Sequence, residues 1–220
     1  MRRPRSVRAA AALLVLVVVA SCSHSNKHSS SNGTTSTTAA SVVPDVQDAA
    51  LQATQVQPSD LPSGFIEDTS SNNTVTSFCV NQDAAQGLQA SARAYVGFGH
   101  APFGVLELTF RFKADGAARF VTQADQMLST CSGVPNIQGQ AYTYEPVSAA
   151  VDAALAGTDG HTARFGTSVG SGALTEEVAF FHRGDIGVLI AAVSVSQPRA
   201  TTDALAITAF TAAVRRAPST

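Results

Sequence analysis

Gly104-Val105-Leu106-Glu107-Leu108-Thr109-Phe110-Arg111-Phe112 is the stretch on which the fold turns. Leu106, Leu108, Phe110 and Phe112 alternate with Val105, Glu107, Thr109 and Arg111, the period of a half-buried β-strand whose apolar side faces a core. Immediately afterwards the period changes. Over 114–131, Ala117, Phe120, Val121, Ala124 and Leu128 recur at three and four residues, which defines one apolar helix face. Asp115 stands where an N-cap is expected. Cys131 continues the same spacing, so its sulfur is expected to point at the sheet.

Working outward from this strand–helix pair, alternation predicts strands at 74–80, 90–98, 141–146, 161–169, 177–183 and 186–196. The last two flank Gly184-Asp185, a two-residue hairpin turn. A short helix is expected over 46–56, with Pro58 and Pro62 bracketing a turn before Phe65. A second long helix is expected over 200–216, capped by Thr201 or Thr202, with Ala206, Ile207, Phe210, Ala213 and Val214 as its stripe. Arg215 and Arg216 suit the negative end of its dipole. The expected class is α+β: a twisted antiparallel β-sheet packed by two main α-helices, occupying 42–220 as one domain.

Two segments precede that domain. Arg2, Arg3, Arg5 and Arg8 open a run that is apolar from Ala9 to Ala20, the form of a signal-peptide core. The run falls short of the roughly 20 apolar residues that span a bilayer. Val19-Ala20-Ser21-Cys22 resembles the bacterial lipobox, which implies cleavage after residue 21 and a thioether-linked lipid on Cys22. Residues 1–21 are therefore read as a lipoprotein signal peptide, and 22–41 as the lipidated cysteine with a Ser/Thr-rich tether. That tether buries too little apolar surface to offset its ordering entropy and is expected to be disordered. The location that follows is the extracytoplasmic face of a cell membrane, with the membrane engaged through the lipid anchor.

Cysteine arithmetic fits an exported chain. There are three cysteines, and if lipid takes Cys22 only Cys79 and Cys131 remain. An oxidising compartment favours a bond between them, which would close a long loop and contribute about 4 kcal/mol. Two buried thiols or a metal site are the alternatives, and nothing at metal-ligand spacing surrounds either cysteine.

Composition bounds the function. Apolar residues make up 45% of the chain, charged residues 14%, and the net charge is −2 with no basic block, so nucleic acid is not an expected partner. Gly166-Thr167-Ser168-Val169-Gly170 spells G-x-S-x-G, but a nucleophile elbow needs a helix directly after the serine. Here Gly170 and Gly172 lead into another strand, so a turn is the better reading of Ser168. His100, His161 and His182 lack neighbours at ligand spacing. His24 and His28 lie in the tether, and Asp159 and His161 flank Gly160 in an expected turn. The pairs Glu67-Asp68 and Glu176-Glu177 read as solvated charges, and Arg183-Gly184-Asp185 as turn chemistry. No catalytic residue, cofactor or metal is expected.

Cys79, Ala94-Tyr95, the strand 105–112 and the helix bearing Ala117, Phe120 and terminal Cys131 together resemble a known pattern. It is that of the extracellular sensor domain of actinobacterial receptor serine/threonine kinases of the PknH type, and of their stand-alone lipoprotein relatives. The likeness runs over most of 45–217. It implies a twisted antiparallel sheet packed by helices, with a cleft for a ligand. The family's second disulfide has no counterpart here, since 176–195 holds no cysteine, and no kinase segment accompanies the domain. The expected function is a non-enzymatic, sensor-like lipoprotein that binds a small molecule, a lipid or a cell-wall fragment. An accessory protein that binds a protein partner is the alternative, and a serine hydrolase a further one.

Overall fold

A computed structural model describes residues 48–68, 82–131 and 140–218. Along the chain come helix α1 (Ala49–Gln52), strand β1 (Ile66–Glu67), strands β2 (Ala90–His100) and β3 (Phe103–Phe112), and helix α2 (Gly116–Thr130). After them come β4 (Thr143–Glu145), α3 (Ala149–Ala153), β5 (Asp159–Val169), β6 (Gly172–Arg183), β7 (Ile186–Val195) and α4 (Arg199–Arg216). Single 3-10 turns lie at Pro58–Asp60 and Gln82–Ala85. The strands form one seven-stranded sheet in the order β1-β2-β3-β7-β6-β5-β4, and every neighbouring pair is antiparallel. The class is α+β.

β3 sits near the middle of this sheet, and that position changes the reading of its alternation. Leu108, Phe110 and Phe112 face α2 in a cluster with Phe120, Val121, Ala124, Phe180 and Leu189. The expected solvent side is covered as well. Val105 packs with Val188, Ile190, Phe181, Leu205 and Phe210 beneath α4, while Glu107 and Thr109 are each 1% exposed. The strand is buried on both faces, because α2 covers one side and α1, α3 and α4 the other.

The packing has identifiable tight points. Phe110, Phe112 and Phe120 form a ring triad with centroids 5.6 to 5.7 Å apart. They fit because position 187 of β7 is glycine: a Cβ there would stand 2.7 Å from Phe112 and 2.9 Å from Phe120. On the opposite face, Ala206, Ala209, Ala212 and Ala213 let α4 approach the sheet closely around Leu205 and Phe210. Burying those two side chains contributes roughly 1.5–3 kcal/mol each.

Several expectations are corrected. The first helix is a single turn at Ala49–Gln52, capped by Asp48; residues 46 and 47 lie outside the described residues, as does the strand expected at 74–80. Asp115 precedes α2, but its side chain makes no capping bond. α4 begins after Pro198, and Thr202 turns inward to share a 2.7 Å hydrogen bond with Ser194 rather than capping the helix. Periodicity does not foretell α3, β1 or the early start of β6. The hairpin at Gly184-Asp185 forms as expected, with Gly184 at φ 55°.

Candidate functional site

The segment from Asp48 to Glu67 crosses from the sheet edge over β3 to α4 and back, and it builds the site. Asp48 donates its N–H to the Arg93 carbonyl at 2.8 Å, and its carboxylate accepts from the Leu51 N–H at 2.8 Å. Leu51 and Val56 drop into the core. Between them Gln55, 1% exposed, donates through Nε2 to the Glu107 carbonyl and to Thr109 Oγ1, both at 3.3 Å. The Val56 N–H donates to Glu107 Oε2 at 2.7 Å, and Thr109 Oγ1 donates to Glu107 Oε1 at 3.3 Å. The 3-10 turn then places Asp60 against Arg215, at 2.5 Å, and Arg216 of α4.

A cavity of about 290 Å³ opens between this segment and the β1–β2 edge. Gln52, Gln55 and Gln57 line it from the segment, Glu67 from β1, and Tyr95, Val96 and Phe98 from β2. Gln55 joins the cavity to the buried network. Its amide nitrogen is committed inward, and its Oε1 is buried with no hydrogen-bond partner. An orphaned buried acceptor costs about 1–3 kcal/mol.

Burial pushes the Glu107 carboxyl up to about 7, although the bonds from Val56 and Thr109 and the Arg216 charge pull it down. Burial would raise Asp60 too, but the Arg216 and Gln57 hydrogen bonds and the charges of Arg216 and Arg215 outweigh it and hold its carboxyl low. The network thus joins a carboxyl that titrates near neutrality to a fixed anion.

The other candidate residues are dispersed. Glu176 and Glu177, expected to be solvated, are 1% and 0% exposed, because β6 is covered on both faces like β3. Glu177 and Asp203 both pair with the buried Arg164. Glu176 points to the other face, where both of its oxygens lack hydrogen-bond partners and burial holds its carboxyl well above the usual range. Burial, and then the Glu176 charge, raises Tyr142.

Ser168 lies on β5, opposite Ala173 of β6, ahead of a hairpin at Gly170, so no helix follows it. His161 is seven residues back on the same strand, roughly 23 Å away at strand rise. His182 pairs with Asp159, farther along. His100 is four strands across the sheet, roughly 19 Å at ordinary strand spacing. No described histidine reaches Ser168.

Asp159 and His161 belong to β5, not to a turn. His182 Nε2 approaches the Asp159 carboxylate at 3.6 Å, and His161 stacks on Phe180 with Asp125 at 3.9 Å. Cys131 is fully buried at the end of α2, as its spacing predicted. Cys22, Cys79, His24 and His28 lie outside the described residues. Among the described residues, no three His, Cys, Asp or Glu side chains gather as a metal site, and no helix is long and apolar enough to cross a membrane.

No protein-family model matches the chain, and no curated protein does. Among solved structures it is similar to the extracellular domain of PknH from Mycobacterium tuberculosis, at 16% identity and a TM-score of 0.48. The likeness covers 77% of this chain and 98% of that one.

Sequence reading missed the Gln55–Glu107 floor. The available signal was a glutamate at the centre of an otherwise apolar strand, together with three glutamines crowded around a one-turn helix.

Proposed function

We propose that the chain is a non-enzymatic, sensor-like domain that binds a small ligand and is held at the extracytoplasmic membrane face by lipid on Cys22. The observation that carries the binding reading is the cavity of about 290 Å³ between the N-terminal segment and β2, lined by Gln52, Gln55, Gln57 and Glu67 together with Val96 and Phe98. The lipobox residues 19–22 and the polar tether support the anchoring. A Cys79–Cys131 disulfide, pinning the end of α2, completes the proposal and fits the full burial of Cys131. An accessory role through an exposed apolar surface has less support. Among the described residues, the large exposed hydrophobics, Ile66 and Tyr144, lie on β1 and β4, the opposite edges of the sheet.

Native mass spectrometry of the full chain recovered from a bacterial envelope tests this reading. Expected are a lipid mass on Cys22, a two-hydrogen deficit from the disulfide, and a further non-covalent mass lost on denaturation. A folded protein with no such extra mass would overturn the binding reading.

A further inference from the structure

We propose that Asp159, His161 and His182 form a surface site for a divalent transition-metal ion of the zinc class, independent of the cavity beside β2. The register of two strands makes the juxtaposition. β5 and β6 pair Asp159 with His182 and His161 with Phe180. Side chains at every second position of a strand share a face, so all four stand together on the α2 side of the sheet, where Phe180 joins the core. His182 is directly opposite Asp159, with Cβ atoms roughly 4.5–5.5 Å apart, and His161 lies on the diagonal at roughly 7–8 Å, within reach of an aromatic side chain. Two imidazoles and a carboxylate at three corners of this square are a donor set that suits zinc, with a fourth position left to water.

The two rings are oriented for this role. His182 Nε2 is 3.6 Å from Asp159 Oδ2, while its Nδ1 is turned into the interior. Nε2 is therefore the nitrogen on the Asp159 side. His161 lies nearly flat on Phe180, with ring centroids 5.6 Å apart and 20° between the planes. Its Nδ1 is 3.9 Å from Asp125 Oδ1 on α2. A ligating histidine gives its second ring N–H to a carboxylate, a carbonyl or water, which fixes the tautomer and the direction of the ring. Asp125 is placed to take that role for His161 and to leave Nε2 to the ion.

Charge and mobility agree with this. Asp159 and Asp125 together balance a dication bound by two neutral imidazoles. Arg183, next to His182 in sequence, points to the other face, where it donates to the Val214 and Ala217 carbonyls. As the side chains stand, no three donors meet at one point among the described residues. Closing the site takes rotation of His161 and Asp159, whose side chains are 56% and 90% exposed, and no movement of the strands.

The test is titration of the full-length protein with Zn²⁺, in a background of His24→Ala and His28→Ala that removes rival imidazoles. Calorimetry and the ring NMR signals of His161 and His182 follow the binding. One equivalent is expected to bind and to shift both rings, and Co²⁺ in its place should give the visible absorption of a tetrahedral ion. His161→Ala and Asp159→Asn should each weaken Zn²⁺ about tenfold or more. Both side chains are more than half exposed, so neither change should move the unfolding midpoint, which covers the case in which His182→Ala does not fold. Asp125→Asn should weaken binding about tenfold with the stoichiometry and the Co²⁺ spectrum kept, and Asp125→Glu should restore it, as a positioning role requires. His100→Ala, beside Phe65 across the sheet, should change nothing.

Zinc bound with undiminished affinity by either His161→Ala or Asp159→Asn overturns the proposal. So does a preference for Ca²⁺ or Mg²⁺ at these side chains, the mark of an oxygen site for hard cations. Rings that stay unshifted up to millimolar Zn²⁺ overturn it as well, and the reading of the cavity then stands or falls on its own experiment.

Discussion

Glu107 shows how one side chain can set the pH response of the domain. Its carboxyl is raised from an ordinary 4.5 to about 7 in the folded state, so the folded protein keeps a proton that the unfolded chain releases. Stability from this group is full below about pH 4.5 and is lost as pH rises through 7, a change of roughly 3 kcal/mol. Thermal melts between pH 4.5 and 7.5 should therefore fall with rising pH, and Glu107→Gln, which imitates the protonated form, should reduce that slope, leaving the part that comes from Glu176, whose carboxyl burial also raises. An unchanged slope in the variant would remove Glu107 as the cause. Asp60, held low, acts in the opposite sense and only below its ordinary 3.8, so the two effects do not overlap. Glu176 gives a different test, since both its oxygens are buried without hydrogen bonds. Glu176→Leu should raise the denaturant midpoint, by about 1–3 kcal/mol in stability; a loss would show that the carboxyl has a partner. By contrast, Arg164→Met strands the buried Glu177 beside Asp203 and should cost about 3–5 kcal/mol.

Among the elements, the β3–α2–β7 contact carries the closest fit. Gly187→Ala drives a methyl into Phe112 and Phe120 and should cost about 1–3 kcal/mol. Gly99→Ala is the matched control, since a Cβ there meets nothing within 4 Å and should leave the unfolding midpoint nearly unchanged. Elements with strong periodicity are legible in the sequence alone. Alternation through Leu106–Phe112 gives β3, and the three-and-four spacing of Ala117, Phe120, Val121 and Ala124 gives α2. What alternation cannot show is whether a second layer covers the polar side of a strand. Glu107 and Glu177 therefore read as solvent-facing, although each lies under helices. The start of α4 is misread because Thr202 has a buried partner in Ser194, and a hydroxyl engaged there does not cap. α3 is an Ala-rich single turn with too few residues to display a period.

Across the whole molecule, the site depends on contacts that no local pattern contains. Gln55 reaches Glu107 across 52 positions, and Asp60 meets Arg216 across 156. The fold class follows from local patterns alone, whereas the cavity requires knowing which strand lies beneath the N-terminal segment. The same topology places the decisive pairing late in the chain. β3 gains its second neighbour only from β7, where residues 103–111 meet 186–194. A fragment ending at Asp185 therefore keeps most of the strands yet lacks the one that joins β2–β3 to β4–β6. It should show no cooperative thermal transition, as followed by circular dichroism. The late joining of the sheet also bears on passage through a narrow channel. A polypeptide delivered N-terminus first carries β3 with one hydrogen-bonding edge unpaired until β7 has emerged. Until then the sheet exists only as two separate groups of strands, β1–β3 and β4–β6, and its closure waits on the last strand to be delivered.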